Sequence, residues 1–247
     1  CNSLGADILR LWVASTDFRS EMVATEEILK QVSDQYRRIR NTFRFIMGNL
    51  NDFDEDTRNI NKSDLVEIDK WIISEAIKLD EEVQNLNDEF AYHHVVQKIH
   101  NFCVHELGGV YLDIIKDRMY VTKSNSSARR SAQFALFEVA DILIRLISPI
   151  LVFTAEEIWQ SHELFKKQAV SIFTASQKAL SEIESSISDE DWKKIFAVKD
   201  AVNQSIEKAR ADSVIKGSLD SKIRIECDKE TFKALQKIED ELKFVFI

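Results

Sequence analysis

Gln35-Tyr36-Arg37-Arg38-Ile39-Arg40-Asn41-Thr42-Phe43-Arg44-Phe45-Ile46-Met47-Gly48-Asn49-Leu50-Asn51 contains both an apolar period and a run of base without acid. Between Glu26 and Leu50 the apolar positions Ile28, Val32, Tyr36, Ile39, Phe43, Met47 and Leu50 recur at threes and fours, the period of one helix face. That predicts a long helix over 26–50. At one hundred degrees per residue, Arg37, Arg40 and Arg44 fall on one stripe beside the apolar face; Asn41 lies alongside, and Gly48 continues it one turn later. Guanidinium forks of this kind suit phosphate oxygens, and a glycine lets a backbone approach closely. An ordinary solvated helix face is the competing reading.

Working outward, residues 49–61, rich in Asn and Asp, read as a loop, with Ser63 as N-cap of a second helix carrying Leu65, Ile68, Ile72, Leu79, Val83 and Leu86. A third periodic stretch runs from Val96 to Ile114, with Gly108-Gly109 as an interruption or a close-packing point. After the polar segment 122–127, a fourth helix is expected over 128–147. Pro149 should separate it from a helix opened by a Thr154/Glu157 capping box, and 170–174 reads as a short extended piece. A further helix carries Trp192, Ile195, Val202, Ile206 and Ala209. Beyond Lys216-Gly217 the pattern changes. Residues 222–227 alternate as a strand, 230–242 suit a short helix and 244–247 resemble a second strand that the chain's end cuts short, as at the boundary of a fragment.

Composition sets the limits. With 247 residues, 45% of them apolar, only five Gly and one Pro, the chain should bury a sizeable core and be mainly helical, which excludes wholesale disorder, β-sandwiches and collagen-like folds. No apolar run reaches the roughly 20 residues of a membrane span, and no basic leader precedes an apolar core, so the expectation is a cytoplasmic protein with no membrane partner. Cys1, Cys103 and Cys227 read as reduced thiols. A net charge of −9 argues against indiscriminate coating of nucleic acid and leaves room for a focused basic patch.

A second basic cluster, Lys116, Arg118, Lys123, Arg129 and Arg130, flanks the polar segment, with Asp117 the only acid among them. It has the look of a flexible arm that orders on RNA, or of an exposed loop. Trp12, Trp71, Trp159 and Trp192 sit at helical apolar positions and read as core in preference to base platforms. The five histidines form no i, i+4 pair, and there is no CxxC, P-loop, GxGxxG or GxSxG, so no metal site and no catalytic residues are expected.

Tyr36-Arg37-Arg38-Ile39-Arg40-Asn41-Thr42-Phe43-Arg44-Phe45 with Gly48-Asn49-Leu50-Asn51-Asp52-Phe53-Asp54 resembles the opening of the anticodon-binding helical domain of isoleucyl-tRNA synthetases. Gly5 to Val13 is similar to the segment that follows their KMSKS loop. Ile99-His100-Asn101-Phe102-Cys103, Tyr111 to Arg118, Arg129-Arg130-Ser131-Ala132-Gln133, Ser148-Pro149-Ile150 and Phe153 to Trp159 resemble family blocks in the same order. Lys216 to Lys222 matches with several departures.

The resemblance implies a class I ligase that joins isoleucine to its tRNA using ATP with magnesium, here without the HIGH and KMSKS motifs and without the editing domain. It implies no cofactor in this stretch, zinc only in a C-terminal module that the sequence does not include, isoleucine tRNA as partner, and a monomer. The expected architecture is an all-α bundle of class I anticodon-binding type: 1–25 a remnant of the stem-contact region, 26–212 the bundle, 213–247 the start of a small α/β unit. The tRNA-binding candidates are Arg37, Arg40, Asn41, Arg44, Lys116, Arg118, Lys123, Arg129 and Arg130. A structural spacer without anticodon readout is the alternative, and an independent helical enzyme is disfavoured by the missing catalytic constellation.

Overall fold

The computed structural model describes residues 4–176, 183–217 and 221–246, and those residues fold into helices with no strand among them. At the centre is α7 (Ser127–Ile147), where buried residues run almost unbroken from Ser131 to Ile147. A helix apolar nearly all round must be enclosed. It is packed chiefly against α4 (Glu67–Asp88), with α2 (Glu26–Asn49), α6 (Leu112–Tyr120) and α8 (Val152–Gln160) completing the wall. Helix α1 (Ala6–Ser15) lies across α5 (Tyr92–Phe102), α2 and α8. Short helices α3 (Glu55–Arg58) and α9 (Glu163–Gln168) fill the connections, and α10 (Asp189–Ala211), α11 (Lys229–Gln236) and α12 (Leu242–Val245) complete the chain.

The long helices begin and end close to where the apolar period predicts. The 49–61 loop contains α3, held by a reciprocal capping box between Asp54 and Thr57. The stretch expected to be extended at 170–174 is instead a 3₁₀ turn, Ile172–Thr174, capped by Ser171. Gly108-Gly109 falls in a π-helix, Cys103–Tyr111, that joins α5 to α6 without a break. A Cβ on Gly108 would stand 3.1 Å from the Cys103 carbonyl five residues back, a tight contact within this wide turn.

Two capping assignments are corrected. Helix α4 starts at Glu67, and Ser63 belongs to a 3₁₀ turn, Lys62–Asp64. Its first-turn donors are satisfied from afar: Glu241 accepts from Glu67 N (2.8 Å) and Ile68 N (3.4 Å), and Ser131 Oγ accepts from Val66 N (2.9 Å). Thr154 likewise lies inside α8, beyond its first residue. Asp7 on α1 accepts from the Thr154 N–H (2.7 Å), the Thr154 hydroxyl (2.6 Å) and Phe153 N (3.3 Å). A carboxylate from another helix replaces the local cap, favoured by the positive end of the helix dipole.

The α/β reading of the tail is overturned. Residues 221–228 take no regular secondary structure, and Phe244 and Val245 are in α12. A strand needs a hydrogen-bonded neighbour, and none is supplied by the described residues. The tail is tied to the bundle instead: Lys199 Nζ donates to Val245 O (2.8 Å), Phe246 is buried, and Glu241 caps α4. Residue 247 lies outside the described residues.

Candidate nucleic-acid interface

The apolar stripe of α2 is buried through Val32, Ile39, Phe43 and Ile46, which turns the opposite side outward. Arg37, Arg38, Arg40, Asn41, Arg44 and Gly48 are all exposed. The ridge is not free of counter-charge, however. Arg37 pairs with Asp34 one turn back (2.7 Å), just before the acid-free run begins. Arg40 donates to the Glu157 carboxylate on α8 (3.0 and 3.3 Å) and to the Tyr36 hydroxyl (3.0 Å). The Tyr36 contact and then Glu157 hold the Arg40 pKa above its ordinary value. Tyr36 in turn shares a hydrogen bond with Thr154 (3.0 Å), so α2 and α8 are linked along this edge. The Asn41 and Arg44 side chains make no hydrogen bond or ion pair among the described residues.

The second cluster disperses. Arg118 is completely buried, its guanidinium on Asp69 (3.1 and 2.5 Å) and 6.0 Å from the Phe244 ring centroid. Tyr111 (2.8 Å) and Ser131 (2.5 Å) also donate to that carboxylate. Burial works against the Arg118 charge, and the Asp69 carboxylate outweighs it, leaving the pKa raised. The expectation that Arg118 faces RNA is therefore corrected: it is an interior strut. Arg129 and Arg130, only 13% and 18% exposed at the side chain, are clasped by Asp52 (2.6 and 3.3 Å). Gln133 joins them, donating to Asp52 (2.7 Å) and to Asn49 O (2.8 Å), so α7 grips the turn that follows α2. The Arg129 contact, opposed by partial burial and helped by Gln133, depresses the Asp52 pKa to about 2. Of that cluster only Lys116 and Lys123 are exposed; Lys116 pairs with Asp113 (2.8 Å), while the Lys123 ammonium has no partner among the described residues.

Trp71, Trp159 and Trp192 are core residues, as their helical positions predict, and Trp12 is half-buried. The exposed aromatics near α2 are ones the sequence did not single out: Tyr120 at the end of α6, 67% exposed, and Phe153 in the first turn of α8, 65% exposed. Tyr120 follows the buried Met119 and Phe153 follows the partly buried Val152, so the apolar pattern alone does not mark either as exposed. Cys103 is buried against Thr42, and burial pushes its thiol up to about 12, which makes it inert. No group of three or more His, Cys, Asp or Glu among the described residues is arranged to hold a metal ion, and no described helix is long and apolar enough to cross a membrane.

An exposed arginine ridge on a helical bundle is chemically suited to phosphates. A family model described as the anticodon-binding domain of tRNA ligase matches residues 69–225. The chain belongs to that family. Among curated relatives, the chain is similar to the isoleucine–tRNA ligase of Alcanivorax borkumensis, 45% identical over 250 residues. It is equally similar to that of a Marinomonas species, 45% over 249 residues, and is 44% identical over 246 residues to that of Pseudoalteromonas translucida. Each match takes in 100% of this chain and 26% of the relative, so the chain spans about a quarter of their length. The matched family region begins inside α4, and the α2 ridge precedes it.

Proposed function

We propose that this chain is the tRNA-docking portion of an isoleucine–tRNA ligase, and that the exposed face of α2 is where the RNA backbone rests. The observation that carries the reading is the arginine ridge that precedes the matched region in a chain of this family, whose whole length aligns with isoleucine–tRNA ligases. Arg37, Arg40, Asn41 and Arg44 supply phosphate contacts, with Lys116 and Lys123 as outlying charges; Arg118, Arg129 and Arg130 serve the fold. Adenylate formation with ATP and magnesium, and transfer of isoleucine, belong to parts of such a ligase that carry the HIGH and KMSKS motifs, and any zinc belongs to a C-terminal module. The partner is isoleucine tRNA, bound by a monomer in the cytoplasm.

One observation favours the rival reading, a spacer whose arginines are merely solvated: Arg37 and Arg40 already hold carboxylates. Binding of an isoleucine tRNA transcript at several salt concentrations decides between them. The double substitution Arg40→Gln, Arg44→Gln keeps helix propensity and removes two charges. Circular dichroism should be unchanged, affinity should fall, and the salt slope should shrink by roughly one unit per lost phosphate contact. A folded double variant with the original affinity and slope would establish the spacer reading.

A further inference from the structure

Between the arginine ridge and the end of α6 the surface of α2 is interrupted by Gly48, which lies one turn beyond both Arg44 and Phe45. A Cβ built at Gly48 meets nothing within 4 Å, and the residue is helical, so neither packing nor backbone conformation inside the chain requires a glycine there. A glycine in the last turns of an exposed helix face weakens the helix. Its effect is a shallow trough.

One wall of the trough is Arg44, exposed and without a partner among the described residues. The other wall is Tyr120. Its ring is held edge-on to Phe45, with centroids 6.4 Å apart at 87°, and Asn49 Nδ2 reaches its hydroxyl at 3.5 Å. An aromatic fixed on one edge and 67% exposed offers a flat apolar surface to solvent. Lys123 follows three residues later, and the only carboxylates within two helical turns on α6 are Asp113, which Lys116 neutralises, and Asp117. Arg44 lies one helical turn before Gly48, and Phe45 and Asn49, which hold Tyr120, lie on the adjoining row of the same helix.

We propose that this trough is a nucleotide site: an unpaired base of the docked RNA stacks on Tyr120, and its phosphate passes over Gly48 to Arg44. The inference rests on the tRNA-docking reading and adds to it a defined position for one base. Stacking on an aromatic tolerates any base, so Tyr120 anchors the loop and other groups select its sequence.

The test titrates an isoleucine tRNA transcript, and its anticodon stem-loop carrying 2-aminopurine at each loop position in turn, into the wild-type chain and into Tyr120→Ala, Tyr120→Phe and Gly48→Leu. Tyr120→Ala should lose about tenfold in affinity, as expected for one base–aromatic stack, with the salt slope unchanged. Tyr120→Phe keeps the ring and should stay within about twofold of wild type; at one loop position the 2-aminopurine quenching seen with these two proteins should vanish in Tyr120→Ala. Gly48→Leu supplies a readout that a structural role would not move: its thermal midpoint should rise, because a helical glycine is gone, while its affinity falls because the trough is filled. Wild-type affinity in either Tyr120→Ala or Gly48→Leu, or a Tyr120→Phe as weak as Tyr120→Ala, would overturn the site and leave the docking reading standing. Absence of salt-dependent tRNA binding by the wild-type chain would overturn both. If Tyr120→Ala does not fold, Gly48→Leu decides alone.

Discussion

Helix α2 and the α6–α7 junction both read as basic clusters, and the structure uses them in opposite ways. On α2 the arginines stand outward on the far side of a buried stripe, and their counter-charges, Asp34 and Glu157, are themselves at the surface, with side chains 48% and 62% exposed. At the junction the arginines turn inward onto Asp69 and Asp52, which come from other parts of the chain. Charge density in a sequence says how many cations there are. Where their anions sit decides whether those cations hold the fold or remain available to a ligand.

The comparison breaks most visibly at Arg118. Removing one partner of a buried pair leaves the other as an uncompensated buried charge, so Arg118→Ala should destabilise the chain by about 3–5 kcal/mol, enough to leave little folded protein. Urea unfolding followed by far-ultraviolet circular dichroism measures it. The same change at Arg44 should stay within about 0.5 kcal/mol, as for a surface residue without a partner. Similar losses at the two positions would remove the distinction between strut and ridge.

Asp52 sharpens it on a smaller scale. Its pKa lies at about 2 against an ordinary 3.8, mainly through the Arg129 contact. A depressed carboxylate stabilises the fold fully above its unfolded pKa and ceases to do so as pH falls from about 4 to about 2. The side chain is 42% exposed, so solvent screening cuts the contribution to about 1 kcal/mol. Wild type and Asp52→Asn should therefore differ by about 1 kcal/mol in unfolding free energy at pH 6 and converge near pH 2. A difference that stays constant over that range would mean that hydrogen-bond geometry, and not ionisation, makes the clasp.

The residues that were legible from sequence share a physical property: their signal is local. The period of α2, α7 and α10 is set by neighbours three and four positions away, and those helices came out close to where the pattern put them. The misread residues are governed by distant partners. Arg118 looks like a loop-edge cation until Asp69, 49 positions earlier, is brought against it. Thr154 looks like an N-cap because Asp7, 147 positions away, cannot be seen doing that work. The alternating segment 222–227 has a strand's pattern, and pattern alone cannot provide the neighbour a strand needs. The same limit holds at the ridge, where Arg37, Arg40 and Arg44 were placed on one exposed face by helical geometry alone, whereas Glu157 came into view only with α8 packed beside α2.

The smallest expected effect tests that last contact. Glu157 holds Arg40 at 3.0 Å, and both side chains are at least half exposed, at 62% and 50%, so the pair contributes little to folding. Glu157→Gln keeps the length of the side chain and its capacity to accept a hydrogen bond while removing the charge, so the unfolding midpoint should not move measurably. Its effect should appear in binding. A carboxylate this close to the ridge repels an approaching phosphate, by about 1 kcal/mol at contact distance in water and less at physiological ionic strength. Glu157→Gln should therefore bind isoleucine tRNA about two- to fivefold more tightly at low salt, with a steeper salt slope, and the gain should disappear when Arg40→Gln is added. An unchanged affinity would mean that no phosphate comes near Arg40, moving the docking face toward Arg44 and Gly48. A loss of affinity would give Glu157 a different part: a carboxylate that accepts a hydrogen bond from the RNA, with Arg40 holding it in place.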